Sequence, residues 1–165
     1  MRVASRYWSR ILVAAVVAVV IGCAPSDRSA SAAHDEALAD TLLSLAEDYN
    51  AAWEQWRAEP ILRLHSKDFQ YYWYDQRLAQ DFEEILREEW LPRSKEYSIQ
   101  MIDPHVEPLG RNAGVVSFQF HDREVSTAGA VQEHGGALTY IFERRGSDWK
   151  LIRVHQSGPV PEEYR

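Results

Sequence analysis

Apolar residues along this chain change their spacing twice, and each change marks a new kind of element. From Asp35 to Arg57, the positions Leu38, Leu42, Leu45, Tyr49, Ala52 and Trp56 recur three and four apart. That spacing puts them on one face of a long helix. Glu59-Pro60 breaks it, because the residue before a proline is pushed out of helical backbone, and Pro60 opens a short second helix through Leu64. Phe69 to Tyr74 (FQYYWY) is aromatic enough to read as a strand. Asp81 to Trp90 is a third helix: Asp81 and Glu84 have the capping-box arrangement, Phe82, Ile85, Leu86 and Trp90 form its apolar face, and Pro92 closes it.

Beyond Pro92 the pattern is that of strands alone, expected at Tyr97–Asp103, His105–Leu109 and Gly114–His121, followed by a hairpin from Gly135 to Ser157. Its turn is the polar Arg144-Arg145-Gly146-Ser147-Asp148. A period of two puts Leu138, Tyr140 and Phe142 on one face of its first strand. On the second strand the same count groups Trp149, Leu151, Arg153, His155 and Ser157. Helices followed by a run of strands imply an α+β domain, with the helices on one side of a curved antiparallel sheet.

The first residues stand apart from that domain. Arg2, Arg6 and Arg10 precede an apolar run from Ile11 to Ile21, too short to cross a bilayer as a helix but suited to the core of a signal peptide. Val20-Ile21-Gly22-Cys23 closes it and resembles a bacterial lipobox, which implies lipidation at Cys23; an ordinary buried thiol is the alternative. Cys23 is the only cysteine of the 165 residues, so no disulfide can form within the chain. The expected organisation is a lipoprotein signal peptide over 1–22, a lipidated flexible tether over 23–34 and one domain over 35–165. The expected location is outside the cytoplasm, anchored by lipid, on the periplasmic side in a Gram-negative cell.

Loss of residues 1–22 would remove three arginines and no acid, moving the formal net charge from −7 to −10. A chain so acidic, with no basic cluster larger than Arg144-Arg145, excludes nucleic acid as an expected partner.

The terminal hairpin carries a more specific signal: Trp149, His155, Ser157, Gly158, Pro159 and Pro161 in the run SDWKLIRVHQSGPVP. This ending resembles that of SnoaL-like domains in the nuclear transport factor 2-like superfamily. It is most similar to the association domain of calcium/calmodulin-dependent protein kinase II, as is DPHVEPLGRNAGVVSFQF (Asp103 to Phe120). The resemblance implies a cone, with a bent sheet wrapped around the long N-terminal helix and a pocket at the open end. It also implies homo-oligomerisation, with a dimer expected. That association domain places an arginine in its pocket where this sequence has Tyr140.

Ketosteroid isomerase-like relatives in the same superfamily pair a carboxylate base with an oxyanion hole of a tyrosine and a protonated aspartic acid. Tyr49 stands near the position of that tyrosine and Asp75 near that of the base, but Leu138 occupies the place of the second acid. Tyr72, Tyr74, Tyr140, Arg153 and His155 are the candidate pocket residues, an aromatic lining with few polar groups of the kind small-molecule sites use; for His155 a structural role in the hairpin is the alternative. His121-Asp122 and Glu133-His134 are neighbours on strands, where adjacent residues point to opposite faces. No H-E-x-x-H spacing, phosphate loop or nucleophile elbow occurs. Neither a metal nor another cofactor is expected. The sequence therefore points to a domain binding a small apolar or aromatic molecule without catalysis, with a homo-oligomeric scaffold and an isomerase-like enzyme as alternatives.

Overall fold

The computed structural model describes residues 26–74, 76–78 and 82–159, with 26–31 and 76–78 as backbone alone. Residues 1–22, Cys23 and Asp75 lie outside the described residues. The chain runs α1 (Ser26–Glu54), α2 (Ala58–Leu64), β1 (His65–Trp73) and β2 (Gln76–Leu78). A helical stretch follows, made of α3 (Phe82–Glu84), a π-helical segment (Ile85–Trp90) and α4 (Leu91–Arg93). β3 (Ser94–Pro108), β4 (Ala113–Ser126), β5 (Val131–Arg145) and β6 (Asp148–Ser157) complete it. α1 begins at Ser26, so residues 26–34, expected as tether, are helical.

The six strands form one sheet in the order β2-β1-β6-β5-β4-β3. β3 to β6 are an antiparallel meander, whereas β1 lies parallel to β6, with Tyr71 beside Val154 and Tyr72 beside His155. The sheet expected to be antiparallel is thus mixed. Parallel neighbours need a long connection, and here everything between β1 and β6 supplies it. No local pattern in the sequence sets the direction of β1 against a strand so distant.

α1 lies across the concave face and buries Leu38, Leu42, Ala46, Tyr49 and Ala52 against Val116, Phe118, Tyr140, Phe142 and Leu151 of the sheet. Gly114 lets the helix come down on β4, since a Cβ there would collide with the Leu42 side chain. Two irregularities shape the sheet. In β3 the register shifts between Ile102 and His105, where Asp103 takes a positive φ of 49°; the two strands expected there are one strand with a bulge, which bends it. In β6, Phe142 faces Leu151 but Ile141 faces Arg153, so Ile152 is one residue too many. That extra residue reverses which side chains point inward for the rest of the strand.

Candidate functional site: an aromatic cavity at one end of the sheet

Where the C-terminal half of α1 meets the ends of β4, β5 and β6, the interior is hollow. A cavity of about 100 Å³ lies there, lined by ten aromatic side chains, including four of the chain's six tryptophans. The chain brings each ring in by a definite local device. Trp53 rides on the last turn of α1. Trp56 follows in the left-handed region at φ 51°, and its indole N–H donates to the carbonyls of Leu91 (3.1 Å) and Ser94 (2.8 Å), tying the helix end to the start of β3. Trp90 closes the π-helical segment, in which the Leu91 N–H bonds back five residues to Leu86. Pro92 follows and has no N–H with which to continue an α-helical ladder. Tyr74 follows β1 at φ 52°, with its N–H bonded to the carbonyl of Gln156 at 2.9 Å.

The cavity also holds polar groups, of which Tyr71, Asp122 and Gln156 are buried and Tyr74, Tyr97, Glu124 and His134 half-buried. Tyr71 donates to Gln156 Oε1 at 2.7 Å, and Gln156 Nε2 donates to the Tyr74 hydroxyl at 3.3 Å. Asp122 of β4 sits directly across from His134 of β5. Its Oδ1 lies 3.1 Å from His134 Nδ1 and accepts the His134 backbone N–H at 3.2 Å, while Tyr97 donates to Oδ2 at 3.1 Å. Burial pushes the Asp122 carboxyl above the ordinary carboxylate range, against the downward pull of His134 and Tyr97. Burial likewise raises Tyr97 and Tyr140 well above the ordinary tyrosine value. Glu124 lines the same wall and is hydrogen-bonded to Ser94.

Of the residues expected in a pocket, Tyr74 and Tyr140 line this cavity. Tyr140 also donates to Asn50 Oδ1 at 2.7 Å. Tyr72, Arg153 and His155 do not line it. They stand together on the outer face of the sheet, the Arg153 guanidinium 5.4 Å from the centre of the Tyr72 ring and the His155 ring edge-on to Tyr72 at 6.3 Å. The bulge at Ile152 is the cause: it turns Val154 and Gln156 inward in place of Arg153 and His155. Tyr49 contributes its ring to the cavity, but its hydroxyl is engaged with His65 Nε2 at 2.9 Å. Leu138 completes the wall with an apolar side chain and offers no hydrogen-bond donor at that position.

The tryptophans and the Asp122–His134 pair escaped the sequence reading. Adjacent residues on one strand diverge, but Asp122 and His134 each lie three residues from the Val125–Val131 pair that closes the turn, and that symmetry was the available signal. Among the described residues no group of three His, Cys, Asp or Glu side chains converges as a metal site. A shallower hollow of about 290 Å³ between α1 and β3 is lined by Glu47, Asn50, Glu54 and Met101, with no aromatic side chain among its lining residues.

Residues 45–160 match the calcium/calmodulin dependent protein kinase II association domain family. The chain belongs to that family. No curated protein matches it. Its fold is shared with a candidate association domain from Xanthomonas campestris, at 18% identity and a TM-score of 0.62 over 74% of this chain and 87% of that one. A nuclear transport factor 2-like superfamily protein from Salmonella enterica matches at 15% identity and a TM-score of 0.62, over 80% and 95% of the two chains. The association domain of the Caenorhabditis elegans kinase matches at 13% identity and a TM-score of 0.61, over 75% and 98%. The association-domain cone, with α1 inside a curved sheet, is therefore the fold of this chain.

Proposed function

We propose that this association-domain chain binds a compact small molecule in its aromatic cavity, without catalysis, while held outside the cytoplasm by a lipid on Cys23. The observation that carries the binding reading is a hollow of about 100 Å³, walled by rings, beside a buried carboxylate. The walls are costly to build. Trp56 and Tyr74 hold left-handed backbone, which costs roughly 1–3 kcal/mol at a non-glycine residue and tends to persist at ligand sites. The size limits the occupant: about 100 Å³ is less than a cavity that takes benzene, roughly 150 Å³, so a steroid skeleton does not fit within it.

Native mass spectrometry of the full chain, purified in detergent without added ligand, tests this reading. A copurifying small molecule that is lost in Trp90→Ala supports it, and an empty cavity that stays empty across a panel of small aromatic and aliphatic compounds contradicts it. The anchoring rests on Val20-Ile21-Gly22-Cys23 and the apolar run before it. Cys23→Ala is expected to abolish processing to the mature size; a variant that stays in the detergent phase at mature size contradicts the anchoring.

Homo-oligomerisation is a second reading, supported by the family and by the outer face of the sheet. There Val115 of β4 pairs across the strands with Ile141 of β5, both half-buried, next to the cluster of Tyr72 and Arg153. Light scattering is expected to give a dimer or a larger assembly, and Ile141→Asp to reduce it to monomer; a monomer at high concentration contradicts the reading.

A further inference from the structure

Four features of the cavity favour one charge of occupant over the others. Its walls are ring faces and edges set at angles to one another: Trp53 and Trp90 lie 5.9 Å apart at 42°, and Trp73 and Trp90 lie 6.0 Å apart at 56°. Rings tilted in this way enclose a concavity instead of stacking into a filled block. The π-face of an aromatic ring is electronegative, and tryptophan presents the strongest such face.

The polar wall has the same sign. Asp122 and Glu124 are its carboxylates, and Asp122 is buried. A carboxylate so buried acts over a lower dielectric than in water and is felt more strongly. Arg93 is the only lysine or arginine among the described lining residues; it is half exposed and bonded to Glu89 at 3.2 Å. The formal charge of the whole chain, −7, adds a field of the same direction.

Size gives the last condition. A volume of about 100 Å³ is about two-thirds of the roughly 150 Å³ that takes the six heavy atoms of benzene, so it accommodates a group of roughly four heavy atoms, the size of a trimethylammonium.

We infer that the cavity is a cage for a compact organic cation, a quaternary ammonium or methylated amine head whose remainder projects to solvent. The inference rests on the binding reading above and names its ligand class. Asp122, steadied by Tyr97 and His134, faces the charge, while Trp53, Trp73 and Trp90 surround the methyl groups. The attraction is electrostatic and dispersive, and no bond is made or broken.

The test compares choline with its uncharged isostere, 3,3-dimethylbutan-1-ol, on the full-length protein in detergent, followed by tryptophan emission and calorimetry. Choline is expected to bind roughly tenfold or more tightly than the alcohol, in the range that a desolvated cation–π contact and a carboxylate supply. Asp122→Asn, close to isosteric, is expected to weaken choline about tenfold while leaving the alcohol unchanged. Equal binding of the two compounds overturns the inference and leaves the cavity reading intact. Binding of neither overturns the inference, and the compound panel above then decides the cavity reading. Choline affinity unchanged in Asp122→Asn, with folding unaltered, overturns the part assigned to that carboxylate.

Discussion

The two ends of the concave face are built from the same strands and the same helix, yet one is filled and the other hollow. At the filled end Leu42, Val116, Phe142 and Leu151 are fully buried and meet one another directly. At the hollow end the same alternation along β4 and β5 delivers Phe120, Asp122, His134 and Leu138, and the helix contributes Trp53 and Trp56. Aliphatic side chains in staggered rotamers interdigitate to near-crystalline density. Large flat rings that meet at angles leave space between them, and buried polar groups can persist there because each finds a partner. This cone is thus packed tightly at one end and hollow at the other.

The largest way to break that contrast is Leu42→Ala. The Leu42 side chain is fully buried beneath α1, and its loss removes packing and leaves a cavity, so a destabilisation of about 2–5 kcal/mol is expected in urea melts. A loss below 1 kcal/mol would mean that the filled end is looser than its burial implies.

His65 marks the seam between the ends, stacked on Phe69 at 3.6 Å and bonded to Tyr49. Burial, helped by the nearby Lys150, lowers it from 6.5 to about 3. Between those values the unfolded chain binds a proton that the native state does not, so stability rises with pH there. The contribution is complete above pH 6.5 and is lost as the pH falls toward 3. Asp122, raised by burial, has the opposite slope as it protonates. Measured stability is therefore expected to fall on acidification below 6.5 in the wild type, and to fall less steeply in His65→Phe. Equal slopes in the two proteins would place His65 in solvent.

A smaller effect is expected at Gly136, where a Cβ would strike the Ser157 carbonyl and crowd the Phe120 ring of the cavity wall. Gly136→Ala is expected to cost roughly 1–3 kcal/mol through backbone displacement and to weaken ligand binding through Phe120. The smallest effect on stability is expected for Asp122→Asn. It removes both the burial penalty of the carboxylate and the strength of its bonds to Tyr97 and His134, which leaves a net change within about 1 kcal/mol. A large loss there would make Asp122 a structural keystone instead of a part of the site.

Much of the filled end was legible in the sequence, because it follows from periodicity. The three-and-four spacing of Leu38, Leu42 and Tyr49 gave the helix and its buried face, and the alternation of Leu138, Tyr140 and Phe142 gave the inward side of β5. The hollow end was legible only in part. Tyr74 and Tyr140, expected in a pocket, line the cavity. Arg153 and His155 were carried to the wrong face because a count of two cannot detect one extra residue, and IRVHQ has no glycine or proline to announce a bulge. Trp56 and Trp90 reach the cavity through a left-handed turn and a π-helical turn, conformations that tertiary packing imposes on residues with no local preference for them. The parallel pairing of β1 with β6 depends in the same way on contacts between segments some eighty residues apart.

The four cavity tryptophans and Trp149, which packs on the core away from the cavity, allow both ends to be watched in one spectrum. Fluorine NMR of the protein labelled with 5-fluorotryptophan, assigned by single Trp→Phe variants and titrated with choline, is the most direct test. The resonances of Trp53, Trp56, Trp73 and Trp90 are expected to shift together with one saturation curve, while that of Trp149 stays fixed. Shifts at Trp149 as large as those at the four others, or no saturable shift at any of them, would contradict a ligand site at the hollow end.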